Sequence, residues 1–227
     1  MPLRTNVYVD AFNVYYGCTK DTSYRWLNLA RLCEVMLTNS TINQIKVFTG
    51  IVKPRPSDPQ QLVRQQTYLR VLRTIPNLTI IESSFLTHTR SFPKAKPRPD
   101  GSLEYVQVLY TEEKGSDVNL ASYLLYDAFV SDYELAVIIS NDSDLAEPVR
   151  MVKVMLRKKI GILNPQINRP EYRKADGTIA YSKVRFSYML RQYATFYKPI
   201  TEEALALSQF PDELSDGIGT FRKPGSW

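Results

Sequence analysis

The stretch Leu135-Ala136-Val137-Ile138-Ile139-Ser140-Asn141-Asp142-Ser143-Asp144 decides the fold, because an apolar, β-branched run ends abruptly in acids. Leu135 to Ile139 is the most strongly β-like run in the chain, and Leu145 to Leu156 reads as the helix after it. On the C-terminal side, Ile160 to Leu163 is a short buried strand. On the N-terminal side, Ser116 to Val130 is a helix whose apolar face includes Val118, Leu120, Leu124 and Leu125.

Further out the alternation continues. Asn6 to Val9 is a short strand ending in Asp10 and Asn13, and Leu27 to Leu37 is apolar at helical spacing. Ile45 to Val52 is a strand closed by Pro54 and Pro56, Asp58 to Ile75 an amphipathic helix, and Leu78 to Phe85 another strand. Alternating strands and helices of this kind argue for a parallel, helix-flanked sheet. Residues 86–104 read as a basic, proline-rich insertion that turns at Asp100-Gly101 before a returning strand at Leu103 to Tyr110, with His88 as a loop residue. After Asn164 the pattern weakens: a turn at Asp176-Gly177, a strand at Ile179 to Phe186 and a helix at Tyr188 to Phe196 are expected. Residues 1–200 are therefore assigned to one domain, and residues 201–227 to a loosely docked tail.

Composition narrows the function. With 44% hydrophobic and 23% charged residues, the 227-residue chain can bury an ordinary globular core. The opening MPLRTNVYVD has no charged-then-apolar leader, and no apolar stretch approaches bilayer-spanning length, so a cytoplasmic protein without a membrane partner is expected. Cys18 and Cys33 cannot make a thiolate zinc site alone, and His88, the single histidine, leaves catalysis to carboxylates. The net charge of +6 favours a polyanionic partner. From Arg150 to Lys198 twelve basic residues face only Glu171 and Asp176. Tyr172, Tyr181, Phe186, Tyr188 and Tyr193 are interleaved with them and suited either to the core or to stacking on unpaired bases.

Three segments place acids just after an apolar strand or just before a helix: Val7 to Asn13, Glu113 to Asn119, and Val137 to Asp144. Singly, each has a purely structural use. Asp10 and Asn13 suit a turn, Asp117 a helix start beside a Ser116 cap, and Asp144 with Glu147 a capping box. Together they argue for more, since a parallel sheet brings the ends of such strands to one rim, where crowded carboxylates repel unless a cation is present. Mg²⁺ and Mn²⁺ prefer oxygen ligands, keep several waters, and can activate water and steady charge on a phosphoryl oxygen.

The D-A-F-N at Asp10 to Asn13, K-G-S-D at Lys114 to Asp117 and S-N-D-S-D at Ser140 to Asp144 resemble, in order, the three acidic motifs of the NYN branch of PIN-like nucleases. The resemblance covers roughly residues 5–165. It implies a three-layer α/β/α, Rossmann-like fold with a mainly parallel sheet, and a divalent-metal ribonuclease that leaves 5′-phosphate ends. It maps metal-binding, catalytic carboxylates onto Asp10, Asp117, Asp142 and Asp144. Asn13 and Ser140 would support them, and Lys114 would face substrate phosphate. Arg150, Lys94 and Lys96 are the further residues expected to bind RNA, single-stranded RNA being favoured. Many members of the family carry glycine where Asn141 stands. Besides RNA, a homo-oligomer or protein partner is expected; the rival expectations are a non-catalytic PIN-like module that binds nucleic acid or regulates, and a DNA nuclease or phosphatase using the same metal chemistry.

Overall fold

A computed structural model describes residues 1–54, 57–168, 170–173, 179–181, 185–225 and 227. The chain runs β1 (Leu3–Asp10), α1 (Ala11–Val14) continuing as a π-helical turn (Tyr15–Thr19), α2 (Leu29–Met36), β2 (Ser40–Gly50), α3 (Gln61–Leu72), β3 (Leu78–Pro93) and β4 (Tyr105–Lys114). It continues with α4 (Ser116–Phe129), β5 (Leu135–Ile139), α5 (Ala146–Arg150), β6 (Lys159–Asn164), β7 (Pro170–Arg173) and β8 (Ile179–Tyr181). Then follow α6 (Tyr188–Tyr193), β9 (Phe196–Pro199), α7 (Glu202–Ala206), β10 (Glu213–Asp216) and β11 (Gly219–Arg222).

Seven strands form a mixed, mostly parallel sheet in the order β4-β3-β2-β1-β5-β6-β9, the α/β architecture expected. Only the β3–β4 pair is antiparallel. β1 and β5 lie at its centre and pair in parallel, Val9 opposite Ile139, so Asp10 and Ser140 leave the sheet side by side. Their apolar runs are continuous because both faces are covered. Val7, Val9, Val137 and Ile139 pack with α2 and α3, whereas Tyr8, Ala136 and Ile138 pack with α4 and α5. The second core also encloses an ion pair between Lys46 and Asp127, and the Tyr8 hydroxyl donates to Asp127 at 2.6 Å. The two charges need each other, since either one left alone in that core would cost several kcal/mol.

Several local expectations are corrected. The strand expected to end at Phe85 does not stop there: β3 runs on past the body and pairs with β4 from Ser84↔Lys114 to Pro93↔Tyr105. His88 lies in this ladder, opposite Tyr110. Alternating apolar residues, Leu86 and Phe92 on one strand with Val106 and Val108 on the other, share a face of the ribbon and explain why it forms. Asp100-Gly101 does turn the chain, with Gly101 at φ +84. The helix after β5 begins as a 3₁₀ turn (Ser143–Leu145) and ends as a π turn (Met151–Met155). Pro148 falls in the first turn of α5, where no backbone donor is lost.

The helix expected through Phe196 stops at Tyr193, and Phe196 opens an edge strand. Its ring lies where a Cβ on Gly161 would sit, 2.1 Å away, so any larger residue there would have to displace the Phe196 ring. The tail expected to dock loosely instead buries Leu205 and Phe210 in the first core. The turn expected at Asp176-Gly177 and the basic residues Arg169, Lys174 and Lys183 lie outside the described residues, as do the side chains of Glu171, Tyr172, Arg173 and Tyr181. Among the described residues no helix is long and apolar enough to cross a membrane.

Candidate functional site

Asp10 ends β1 and caps α1. Its Oδ1 accepts from the Asn13 backbone N–H at 2.9 Å, and its Oδ2 accepts from the Ser140 hydroxyl at 3.0 Å. Only 7% of the residue is exposed. Burial pushes the carboxyl up to about 6; the two hydrogen bonds oppose that rise, and the neighbouring charges of Asp117 and Asp142 add to it. The site is built to hold a carboxylate that its own surroundings disfavour.

The loop after β5 is stitched to this turn twice. Ser140 Oγ, besides donating to Asp10, accepts from the Asp142 backbone N–H at 3.1 Å. The Asn141 backbone N–H donates to Asn13 Oδ1 at 3.0 Å. Asp142 in turn caps the 3₁₀ turn by accepting from the Asp144 N–H at 3.0 Å. The capping use of these residues and their gathering at one rim are thus compatible, since each hydrogen bond takes one lone pair of a carboxylate oxygen and a carboxylate offers about four.

Asp117 enters from a different direction, in the first turn of α4, where Gly115 at φ +95 redirects the chain from β4 into the helix. Partial withdrawal from water raises its pKa, and Asp142, Glu113 and Asp144 raise it further. The charges of Asp142 and Asp144 thus act on Asp117, and those of Asp117 and Asp142 on Asp10. Among the described residues no three acids, histidines or cysteines stand close enough to form a ready-made metal cage. The arrangement is an open rim of oxygen donors.

The expected phosphate-binding residues are more dispersed. Lys114 ends β4 beside the rim, exposed and paired with Glu112 at 3.0 Å. Arg150 lies at the end of α5, paired with Glu147 at 2.6 Å. Lys94 meets Glu104 at 2.5 Å just beyond the β3–β4 ladder, and Lys96 is exposed in the turn that follows. Nine residues of strand separate Tyr105 from Lys114, which puts these two lysines about 30 Å from the rim.

Two residues escaped the sequence reading. Glu113 raises the pKa of Asp117 and accepts from the Ser83 hydroxyl at 2.5 Å; its place inside the second acidic segment was the available signal. Asn141 is a hub. Its Oδ1 accepts from the Ser187 N–H at 2.8 Å and the Tyr197 hydroxyl at 2.6 Å, and its Nδ2 donates to the Arg185 carbonyl at 3.1 Å. Nothing in the local sequence announces those partners.

A family model described as the NYN domain matches residues 4–182. The 6-hydroxy-3-succinoylpyridine 3-monooxygenase HspA of Pseudomonas putida is 27% identical over 249 aligned positions, which cover 100% of this chain and 76% of that protein. The crystal structure of a protein of unknown function from Vibrio parahaemolyticus superimposes with a TM-score of 0.53 at 17% identity, covering 89% of this chain and 95% of that one. That likeness is one of fold.

Proposed function

This chain belongs to the NYN domain family, and from that premise we propose that it is a divalent-metal-dependent ribonuclease acting at the Asp10 rim. The observation that carries the reading is the state of Asp10: buried, clamped by Asn13 and Ser140, and pressed by the charges of Asp117 and Asp142. A carboxylate held at such a cost is commonly functional.

Asp10, Asp117, Asp142 and Asp144 are the donors from which one or two carboxylates at a time would hold Mg²⁺ or Mn²⁺. The donor set fits, because every ligand is a hard oxygen and Mg²⁺ needs only one or two carboxylates beside its waters and the substrate phosphate. When bound, such an ion supplies an activated water and neutralises charge at phosphorus. The chain's own contribution is orientation: Asn13 and Ser140 fix the Asp10 oxygens, and the Ser140 hydroxyl couples Asp10 to the Asp142 backbone. Lys114 and Arg150 would meet the phosphate, with Lys94 and Lys96 engaging RNA farther out.

The test is cleavage of labelled single-stranded RNA with Mg²⁺ or Mn²⁺, beside single-stranded DNA and a small phosphoester. Asp142→Asn is expected to abolish cleavage while leaving the circular-dichroism spectrum unchanged. Full activity of that variant removes Asp142 from the site. RNA that shifts in a gel but survives the metal favours the non-catalytic module.

A second reading comes from the Pseudomonas putida relative, whose name is that of a monooxygenase acting on a substituted pyridine and whose alignment spans this whole chain. A cavity bordered by Ala11 and Phe12, directly beside Asp10, favours it. Hydroxylation of a pyridine substrate in the presence of O₂ and a two-electron reductant, with RNA left intact, would replace the nuclease reading.

A further inference from the structure

The turn that carries Asp10 has a second side. Val9 and Ala11 flank Asp10 and line a cavity of about 330 Å³ at the carboxyl ends of β1 and β2, where Val47 and Thr49 complete the floor. In parallel sheets this is where ligands gather. The cavity lies in the lower range of small-molecule sites, room for one ring system and not for a length of chain.

Its walls are flat. Phe12 and Tyr16 lie nearly parallel, 25° between ring planes at 6.3 Å, and Tyr15 meets Tyr16 edge-on at 5.1 Å. Tyr16 is 57% exposed, so aromatic surface reaches the opening. These tyrosines are delivered by the π-helical turn at Tyr15–Thr19, a wide turn frequent at functional sites. The opposite wall is rigid. Gln65 is held by the Val52 N–H at 2.9 Å and the Gly50 carbonyl at 2.8 Å, and the Tyr68 hydroxyl donates to Leu27 at 2.7 Å. Cationic side chains stand in the lining: Arg25 beside Asp21, Arg64 beside Asp58, and Lys20 with its ammonium 5.3 Å from the centre of the Tyr16 ring.

We propose that this cavity binds one planar heteroaromatic ring bearing an anionic group. Stacking surface, ring-sized volume and the cationic side chains of the lining together select for that chemistry. Such a ligand has two sources: a nucleotide of an RNA strand whose phosphate lies at the rim, or a free heteroaromatic acid. The inference does not depend on whether RNA is cut, because binding is measured without turnover.

The full chain is titrated with UMP, AMP and pyridine-3-carboxylate, with ribose 5-phosphate as the ringless anion, following intrinsic fluorescence and calorimetric heat. Saturable binding of at least one ring probe, absent for ribose 5-phosphate, is expected. Tyr16→Ala should weaken it roughly tenfold or more, the loss of one stacking face. Because Tyr16 is largely exposed, that variant should fold; Tyr16→Phe should restore binding. Nucleotides binding alone identify the RNA source, and pyridine-3-carboxylate alone the free acid. No ring probe binding, or equal binding by wild type and Tyr16→Ala, overturns the proposal.

Discussion

The acid rim and the β3–β4 arm carry the two signs of charge that a phosphodiester site would use, and they are built in opposite ways. At the rim, Asp10 is fixed by two hydrogen bonds on the central strands and withdrawn from water. On the arm, Lys94 and Lys96 stand in solvent beyond a two-stranded ribbon that, past Ser84, pairs only with itself. A lone ribbon of that kind contributes little to stability. The rim therefore concentrates geometry at an electrostatic cost, whereas the arm offers long-range attraction that salt screens. Chemistry that depends on position should fail at the rim, and chemistry that depends on charge should fade on the arm.

Asp10→Asn should produce the largest separation between them. Cleavage should fall at least about a hundredfold, since even residues that merely support metal ligands cost up to that much. The metal-free protein should become more stable at neutral pH. Below about pH 4 the Asp10 carboxyl is protonated whether the chain is folded or not. Between there and about pH 6 the folded state keeps a proton that the unfolded chain releases, so stability falls as pH rises. Above pH 6 the cost is fully present, at most about 3 kcal/mol. Asparagine removes it, less what the weaker contacts to Asn13 and Ser140 give back. A melting temperature that does not rise in metal-free buffer would show that burial of Asp10 carries no such cost.

The same property sets a pH profile. At sub-saturating Mg²⁺, kcat/KM should drop as pH falls through about 6, approaching tenfold per unit where Asp10 holds its proton. An acid limb near pH 4 would instead describe an ordinary exposed carboxylate and erase the distinction between rim and surface.

The two regions also differ in how far the sequence discloses them. The body was legible because burial on both faces of a parallel sheet writes continuous apolar runs: Leu135–Ile139 and Ser116–Phe129 emerge almost as read. The gathering of Asp10 and Ser140 followed from strand ends alone, as both follow apolar strands of one parallel sheet. The arm is harder to read because prolines at 93, 97 and 99, with Lys94, Lys96 and Arg98 among them, mask a ladder that draws on cross-strand pairs. Phe196 carries no strand periodicity of its own, because its strand fits beside Gly161, thirty-five residues earlier. Lys46 and Asp127 show the same limit, for neither residue has a local pattern that marks it for burial.

On the arm, Lys94→Ala with Lys96→Ala should act through charge only. If both contact single-stranded RNA, the slope of log affinity against log salt should fall by about 1.4. A value nearer 0.7 is expected if the Lys94–Glu104 pair already neutralises one of them. Cleavage at saturating RNA should be unchanged. A lower saturated rate with an unchanged salt slope would mean that the arm shapes the rim rather than attracting the strand.

The smallest effect should come from Asn141→Gly, which sharpens the comparison inside the rim itself. The backbone bond from residue 141 to Asn13 needs no side chain and survives the change. What is lost is the amide that accepts from Ser187 and Tyr197 and donates to Arg185, hence the tie between the acid loop and α6. Arg185 keeps its second donor, Asn164 Nδ2 at 3.0 Å, and water can reach the exposed segment, so the stability loss should sit near 1 kcal/mol. Cleavage should fall only a few-fold, and the acid limb of the pH profile should stay near 6, because the contacts of Asp10 are untouched. Faster hydrogen exchange at the Ser187 amide is the direct readout. If the limb moves as well, the Asn141 side chain helps to set the ionisation of Asp10, and the rim extends as far as Tyr197.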